Sequence, residues 1–275
     1  MGFGHQTNTW GGVVGHPVGV TSIKDLYYLT HGSDERALRD IAAAGYDGFE
    51  IFDGNLQRYV DDPAPFERVV RETGLTLIAV YSGANFIYAD CLGDEFARLE
   101  QAARLGQRFG ASYHVVSGGA IRADGARDSD YEALARGLDR LTALSARYGL
   151  QSMFHPHSGT IVETTEQIHR LFRLTDIRLC PDTGHLLEAG ADPADIIRSY
   201  RDRVSYVHFK DYRDGLFVPL GEGRVNVRAV VEALGGSPGG GWWTVELNET
   251  EKDKRVIAAE SLGFLKGFVR QPSGR

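Results

Sequence analysis

Short runs rich in β-branched and aromatic residues alternate with longer helical patterns from end to end of this chain, and they do so eight times. The runs fall at 4–9, 48–52, 76–82, 112–117, 150–155, 177–181, 204–209 and 242–247, and the helical patterns at 34–44, 66–73, 94–109, 131–148, 165–175, 193–200, 227–234 and 253–268. Repeated strand–helix–strand units build a parallel sheet, because parallel neighbours need a crossover long enough to return the chain to the same edge. Glycine marks the helix ends. Ala-Gly-Tyr-Asp at 44–47, Thr-Gly-Leu at 73–75, Phe-Gly-Ala at 109–111 and Tyr-Gly-Leu at 148–150 each put Gly where a C-cap is wanted, and a strand follows each. The run from Gly235 to Gly241, interrupted by Pro238, reads as a flexible connection and not as a domain boundary, since the segment after it completes the strand count. Eight strands and eight helices in 275 residues predict one α/β domain over 1–275, a single (β/α)8 or TIM barrel.

Charge and cysteine usage narrow the partners. A formal net charge of −7 counts against a basic surface for nucleic acid or an anionic membrane, so a small molecule is the expected ligand. The only cysteines, Cys91 and Cys180, form neither a close pair nor a metal-ligand spacing, which fits a reducing cytoplasm and counts against a disulfide framework or thiolate zinc site. Residues 1–10 lack a basic flank leading into an apolar stretch, and no run approaches the roughly 18 apolar residues that a bilayer span needs. A cytoplasmic protein with no signal peptide and no membrane span is therefore expected, with a homo- or hetero-oligomer left open.

In a barrel of this kind the site lies at the C-terminal ends of the strands, so the polar residues there are read together. Strand two carries Glu50. Strand five ends at His155 with His157 beyond it, strand six leads into Asp182 and His185, strand seven into His208, Lys210 and Asp211, and strand eight carries Glu246; strand one adds His5. A divalent ion needs imidazole nitrogens and carboxylate oxygens converging from several directions, which consecutive strand ends deliver without a local motif. His155, Asp182, His208 and Glu246 come from four consecutive strands. Any one of them alone is better explained as a hydrogen-bonded buried polar group; four at corresponding positions point to a metal site. His16, His31 and His169 fall in loop or helix segments and read as structural or surface residues.

Three elements at this spacing, Cys180-Pro181-Asp182-Thr183-Gly184-His185, Val207-His208-Phe209-Lys210-Asp211 and Val245-Glu246-Leu247, resemble the xylose isomerase-like barrel superfamily of sugar phosphate isomerases, epimerases and inosose dehydratases. The likeness covers nearly the whole chain, and Phe154-His155-Pro156-His157-Ser158-Gly159-Thr160 is most similar to the inosose dehydratase branch. The resemblance implies that Asp182, His208 and Glu246 bind a metal and that His185 lies beside it, facing the substrate. One departure matters. Many relatives end strand five in Glu-x-His, the Glu serving as ligand and proton-transfer residue, whereas this chain reads His155-Pro156-His157. The first ligand would then be His155, and the pair of opposed glutamates that moves a proton between two faces lacks a member, which counts against two-base epimerisation.

A metal at such a site would polarise a substrate carbonyl and ease removal of the adjacent proton. Isomerisation, epimerisation and β-elimination share that step and differ in the transfers that follow. The candidate acid–base groups are His157, Lys210, His185 and Glu50, since His titrates near neutrality and a Lys beside a cation can have its pKa lowered. Lys210 also has a plainer reading as an ion pair with Asp211, and Glu50 as support for a ligand. Trp10, Tyr81 and Phe86 would form an apolar wall against a sugar ring, or pack the rim; Glu222 and Arg224, in a Gly-flanked loop, would face the substrate or solvent. The leading expectation is a lyase, with Mn2+ favoured over Co2+, Zn2+ or Mg2+, that performs β-elimination next to a ketone on an oxidised cyclic polyol or 3-oxo-glycoside. The alternatives are a ketose isomerase or epimerase, a DNA-repair endonuclease that the acidic balance disfavours, and a non-catalytic metal-binding barrel.

Overall fold

The computed structural model describes residues 2–11, 28–236, 241–248 and 250–269. Within them the chain runs β1 (Gly2–Gln6), α1 (Asp34–Ala43), β2 (Gly48–Phe52), α2 (Asp53–Gln57), α3 (Ala64–Thr73), β3 (Thr76–Gly83), α4 (Leu92–Phe109), β4 (Tyr113–Ser117), α5 (Asp128–Ala146), β5 (Gln151–His155) and α6 (Thr165–Phe172). It continues through β6 (Arg178–Leu179), α7 (Thr183–Glu188), α8 (Pro193–Ser199), β7 (Tyr206–Phe209), β8 (Asp211–Arg213), β9 (Leu216–Val218), α9 (Val227–Ala233), β10 (Trp242–Val245) and α10 (Lys254–Lys266).

Eight strands pair in parallel in the order β6-β5-β4-β3-β2-β1-β10-β7. Parallel bridges from Leu179 to Val204 and from Asp182 to His208 join the two ends of that order, so the sheet closes into the (β/α)8 barrel that the alternation predicts. The barrel's eighth strand is β10, because β8 and β9 form a separate antiparallel hairpin. Ile78, Val115, Met153, Cys180 and Tyr206 fill the interior. Two outer clusters, one around Leu38, Ile41, Phe49 and Val230 and one around Leu138, Leu141, Ile168 and Leu179, bury the helices' apolar faces against the strands.

Helix ends follow local chemistry. Ser33 Oγ accepts from Arg36 N–H at the start of α1, and Thr164 with Gln167 forms a capping box at α6. Gly45, Gly74, Gly110 and Gly149 all have positive φ, as their positions before strands require. The first strand stops at Gln6 and not at residue 9, because Thr7–Trp10 coil into a 3-10 turn capped by the Gln6 side chain. The short helices α2 and α7 and the β8–β9 hairpin are additions to the expected pattern; they sit where strands two, six and seven give out. His16 and Pro238 lie outside the described residues. Among the described residues no helix is long and apolar enough to cross a membrane.

Candidate metal centre

His155, Asp182, His208 and Glu246 arrive from β5, the turn after β6, β7 and the end of β10, and all four are buried. One ligand-type atom from each lies within 4.8 Å of the others. His155 Nε2 is 3.6 Å from Asp182 Oδ2, His208 Nδ1 is 3.9 Å from the same oxygen, and His208 Nδ1 is 2.9 Å from Glu246 Oε2.

On three of the four, one side-chain atom is occupied and the other is left over. Asp182 Oδ1 accepts from Gly184 N–H (2.8 Å) and His185 N–H (2.9 Å), capping α7, while Oδ2 has no hydrogen-bond partner. Glu246 Oε1 accepts from Lys210 Nζ (2.8 Å) and Asn8 Nδ2 (3.2 Å), while Oε2 has none. His208 Nε2 contacts Glu50 Oε2 at 3.1 Å and carries a proton toward it, which leaves Nδ1 as the nitrogen that would turn to an ion; burial works against a charged ring here, but Cys180, Glu50 and Glu246 raise its pKa well above the usual imidazole range. Neither ring nitrogen of His155 has a partner. A buried polar atom without a partner costs about 1–3 kcal/mol, and here such atoms face one another. Two imidazoles and two carboxylates with their free donors converging suit a divalent cation of borderline or hard character. The quartet can hold one.

Around it the motif Asp182-Thr183-Gly184-His185 works residue by residue. Thr183 Oγ1 donates to Lys210 C=O (2.6 Å) and accepts from Lys210 N–H (2.9 Å), which clips the end of β7 to α7. Gly184 is required because a Cβ there would lie 2.7 Å from Lys210 Cγ. The Lys210 stem thus crosses the start of α7, and its ammonium donates to Glu246, Asn248 Oδ1 (3.0 Å) and His185 Nε2 (3.1 Å). His185 Nδ1 in turn meets Ser158 Oγ at 2.7 Å. His157 packs at a tilt against His185 with ring centres 3.8 Å apart, and its Nδ1 contacts the Ser158 carbonyl at 2.7 Å, which leaves the Nε2 lone pair available.

The charge states differ from the expectation at Lys210, His157 and His185. Burial works against the Lys210 ammonium, but Glu246 and Asp182 outweigh it and raise its pKa, so Lys210 is a fixed cation and not the lowered-pKa base that the sequence suggested. Burial, reinforced by His155 and Lys210, lowers His157 to about 4; burial with His157 and Lys210 holds His185 well below the usual imidazole range. Both are neutral near pH 7.

A model of the xylose isomerase-like TIM barrel family matches residues 38–268. The chain belongs to that family. It is 31% identical over 228 residues to an inosose dehydratase of Geobacillus kaustophilus, a match covering 77% of this chain and 73% of that one. Among solved structures, a probable 3-DHS dehydratase from Bacillus anthracis superposes with a TM-score of 0.75 at 16% identity, covering 97% of this chain and 99% of the other. The 3-keto-D-glucoside 4-epimerase of E. coli gives 0.71 at 19% identity, over 97% and 99%. At those identities the two structures speak for the fold.

The remaining candidates separate. Glu50 lies behind His208, with Oε2 accepting from Tyr206 O–H (2.9 Å) and meeting His208 Nε2, while its Oε1 has no hydrogen-bond partner. The Lys210–Asp211 ion pair does not form: Asp211 turns away to accept from the N–H groups of Tyr212, Gly221, Gly223 and Val225, all between 2.9 and 3.0 Å. Glu222 pairs with Lys252 (2.6 Å) and Arg224 with Asp214, so neither faces the site; Gly223 beside Glu222 makes room for the Asp211 carboxylate. His5 points out of the barrel between Trp10 and Tyr46, and burial lowers it to about 4. Trp10 donates to Asp40 (2.8 Å) and Phe86 stacks on Phe96, so of the proposed aromatic wall only Tyr81 lines the cavity at the mouth. His31 is exposed, and His169 pairs with Tyr200 O–H (2.6 Å). Sequence reasoning missed Asn8, Tyr28, Phe52 and Asn248, which line that cavity with Tyr81, His157 and Glu246, and Phe217, whose ring lies 4.7 Å from Lys210 Nζ. Only Asn8 and Asn248 carried a signal, as polar residues just past strand ends.

Proposed function

We propose that the protein is a divalent-metal-dependent carbon–oxygen lyase of the inosose dehydratase type, which eliminates water from the carbon β to a ketone on an oxidised cyclic polyol. The observation that carries the reading is the one-sided set of proton-transfer groups. His155 stands where relatives with two opposed glutamates have a carboxylate, and His157, His185 and Lys210 form one linked cluster beside the quartet. The name of the 31% identical relative agrees with it.

His155, Asp182, His208 and Glu246 would hold the ion, for which we take Mn2+ as first choice because mixed imidazole and carboxylate ligation leaves room for substrate oxygens. Once bound, it supplies Lewis acidity to a ketone oxygen. His157 Nε2 takes the proton from the carbon beside the ketone, its Nδ1–H being held on the Ser158 carbonyl. The electron pair of that C–H bond becomes the new C=C bond, and the β-hydroxyl departs with its C–O electrons. The proton that His157 took passes to the departing hydroxyl, giving water and restoring the base, while the Lys210 ammonium stays charged and steadies the leaving oxygen. No redox partner is needed. A 3-oxo-glycoside with its leaving group at the same position would react alike. The whole chain acts as one domain in this reading, in the cytoplasm, where the free cysteines Cys91 and Cys180 fit.

The test is incubation of metal-reconstituted protein with oxidised inositols, 3-oxo-glycosides and ketohexoses, read by mass and ultraviolet absorbance. The reading expects loss of one water, or of the aglycone, with growth of an enone band that needs metal. Inversion of a carbinol centre with no absorbing product would instead establish the epimerase alternative.

A further inference from the structure

We propose that Tyr28 fits this site to a ring-shaped substrate and that the buried pair Asp53–Arg98 is the positioning device that holds it there; this rests on the dehydratase reading above. Phe52 and Tyr81 reach the cavity from the barrel, but Tyr28 comes from the connection between β1 and α1, outside any barrel strand. Its ring centre is 5.4 Å from that of Phe52 and 5.1 Å from that of Tyr81, perpendicular to the latter, and its hydroxyl is 3.4 Å from Ser117 Oγ. The cavity is thus lined by these three aromatic rings together with His157, Glu246, Asn8 and Asn248. A cyclic polyol has the matching chemistry, with C–H bonds over its faces and hydroxyls at its edge.

A side chain carried on a connection needs a tether. Tyr28 N–H donates to Asp53 Oδ1 (3.1 Å) and its carbonyl accepts from Gly54 N–H (2.9 Å). Gly83 has no room for a Cβ because the Tyr28 ring fills that place. Asp53 is fully buried, and its second oxygen takes Arg98 Nη1 at 2.6 Å; Arg98, on α4, also reaches Glu95 (2.8 Å) and the Gly83 carbonyl. Burying such ions carries a desolvation cost that a packed apolar pair would avoid. An apolar pair would lack the directed oxygen that fixes the Tyr28 amide, and this gives the ion pair a purpose that stability does not.

The test is a double-mutant cycle on the metal-loaded protein, read by calorimetric titration with myo-inositol and by KM and kcat wherever turnover is found. Tyr28→Ala is expected to weaken myo-inositol binding and raise KM by about tenfold, most of the loss being in KM, with metal content unchanged. Arg98→Met should do the same alone and add little in the Tyr28→Ala background, because it acts through Tyr28. Asp53→Ala, which removes the acceptor of the Tyr28 amide while Arg98 keeps Glu95 and the Gly83 carbonyl, takes its place if Arg98→Met does not fold. Additive losses, an unchanged affinity in Tyr28→Ala, or no binding of myo-inositol by the parent protein would overturn the proposal. Tyr28-dependent binding without any enone would keep it and sink the dehydratase reading, while enone formation indifferent to Tyr28 would do the reverse.

Discussion

Lys210 and Glu50 were both candidates for proton transfer, and their neighbours separate them. The Lys210 ammonium is held by Glu246, Asn248 and His185, whereas Glu50 is enclosed with Tyr206 and His208. Glu50→Gln should therefore weaken metal binding by about 10–100-fold, as loss of a ligand's hydrogen-bond partner does, and equilibrium dialysis against Mn2+ would register it. Unchanged metal affinity would mean that Glu50 does not steer His208. Lys210→Met and His157→Ala should each lower turnover by about 10²-fold or more. Metal content, measured on the same samples, keeps a lost ligand set from passing for a lost proton-transfer group. His155→Glu should retain the metal, since a carboxylate replaces an imidazole at the same strand end.

Elements, more than single residues, explain the two motifs. In Asp182-Thr183-Gly184-His185 the carboxylate both caps α7 and offers a free oxygen to the quartet, and the next three residues seat Lys210. Gly184→Ala should displace the Lys210 stem at about 1–3 kcal/mol of stability, with turnover falling more than metal affinity. In the segment after β7, one buried carboxylate gathers four backbone N–H groups from 212 to 225 and folds the hairpin that brings Phe217 against His185 and Lys210. Asp211→Ala removes those acceptors together. Hydrogen exchange should then quicken across 212–225 and little elsewhere; uniform quickening would mean that Asp211 supports the whole barrel instead.

Across the whole molecule, the quartet joins three strand ends and the turn after β6, so ion binding is linked to folding. At about 100 times its Kd the ion adds roughly 2.7 kcal/mol, and a chelator should lower Tm accordingly. A second linkage lies in His114, buried between Ser82 Oγ (3.1 Å) and Ser145 Oγ (3.0 Å) and lowered from 6.5 to about 3 by burial and by Arg98. Between those two values the unfolded chain binds a proton that the fold refuses. Stability from neutral His114 is thus complete above pH 6.5 and is lost as pH falls toward 3, by about 1.4 kcal/mol per unit. Melts of chelated protein from pH 7 to 4 should fall more steeply for the parent than for His114→Asn. Parallel curves would rule His114 out.

By itself the sequence determined the barrel and the four residues that converge into a group able to hold an ion. Both depend on quantities that a linear chain carries: the periods of strand and helix, the glycines at residues 45, 74, 110 and 149, and the rule that equivalent strand ends meet at one mouth. Tertiary structure decided which way each candidate faces and what charge it holds. Trp10 and Phe86 look no different in sequence from Tyr81, yet closure of the barrel turned the first two outward and the third inward. Lys210 next to Asp211 reads as an ion pair, but the carboxylates that set its charge, Asp182 and Glu246, come from other strand ends, while Asp211 finds its partners as far along as Val225. Tyr28 gave no signal because its place depends on Asp53 and on Arg98 far along the chain. Side-chain direction depends on register and closure, and electrostatics on distance in space, so neither is encoded in the spacing of residues along the chain.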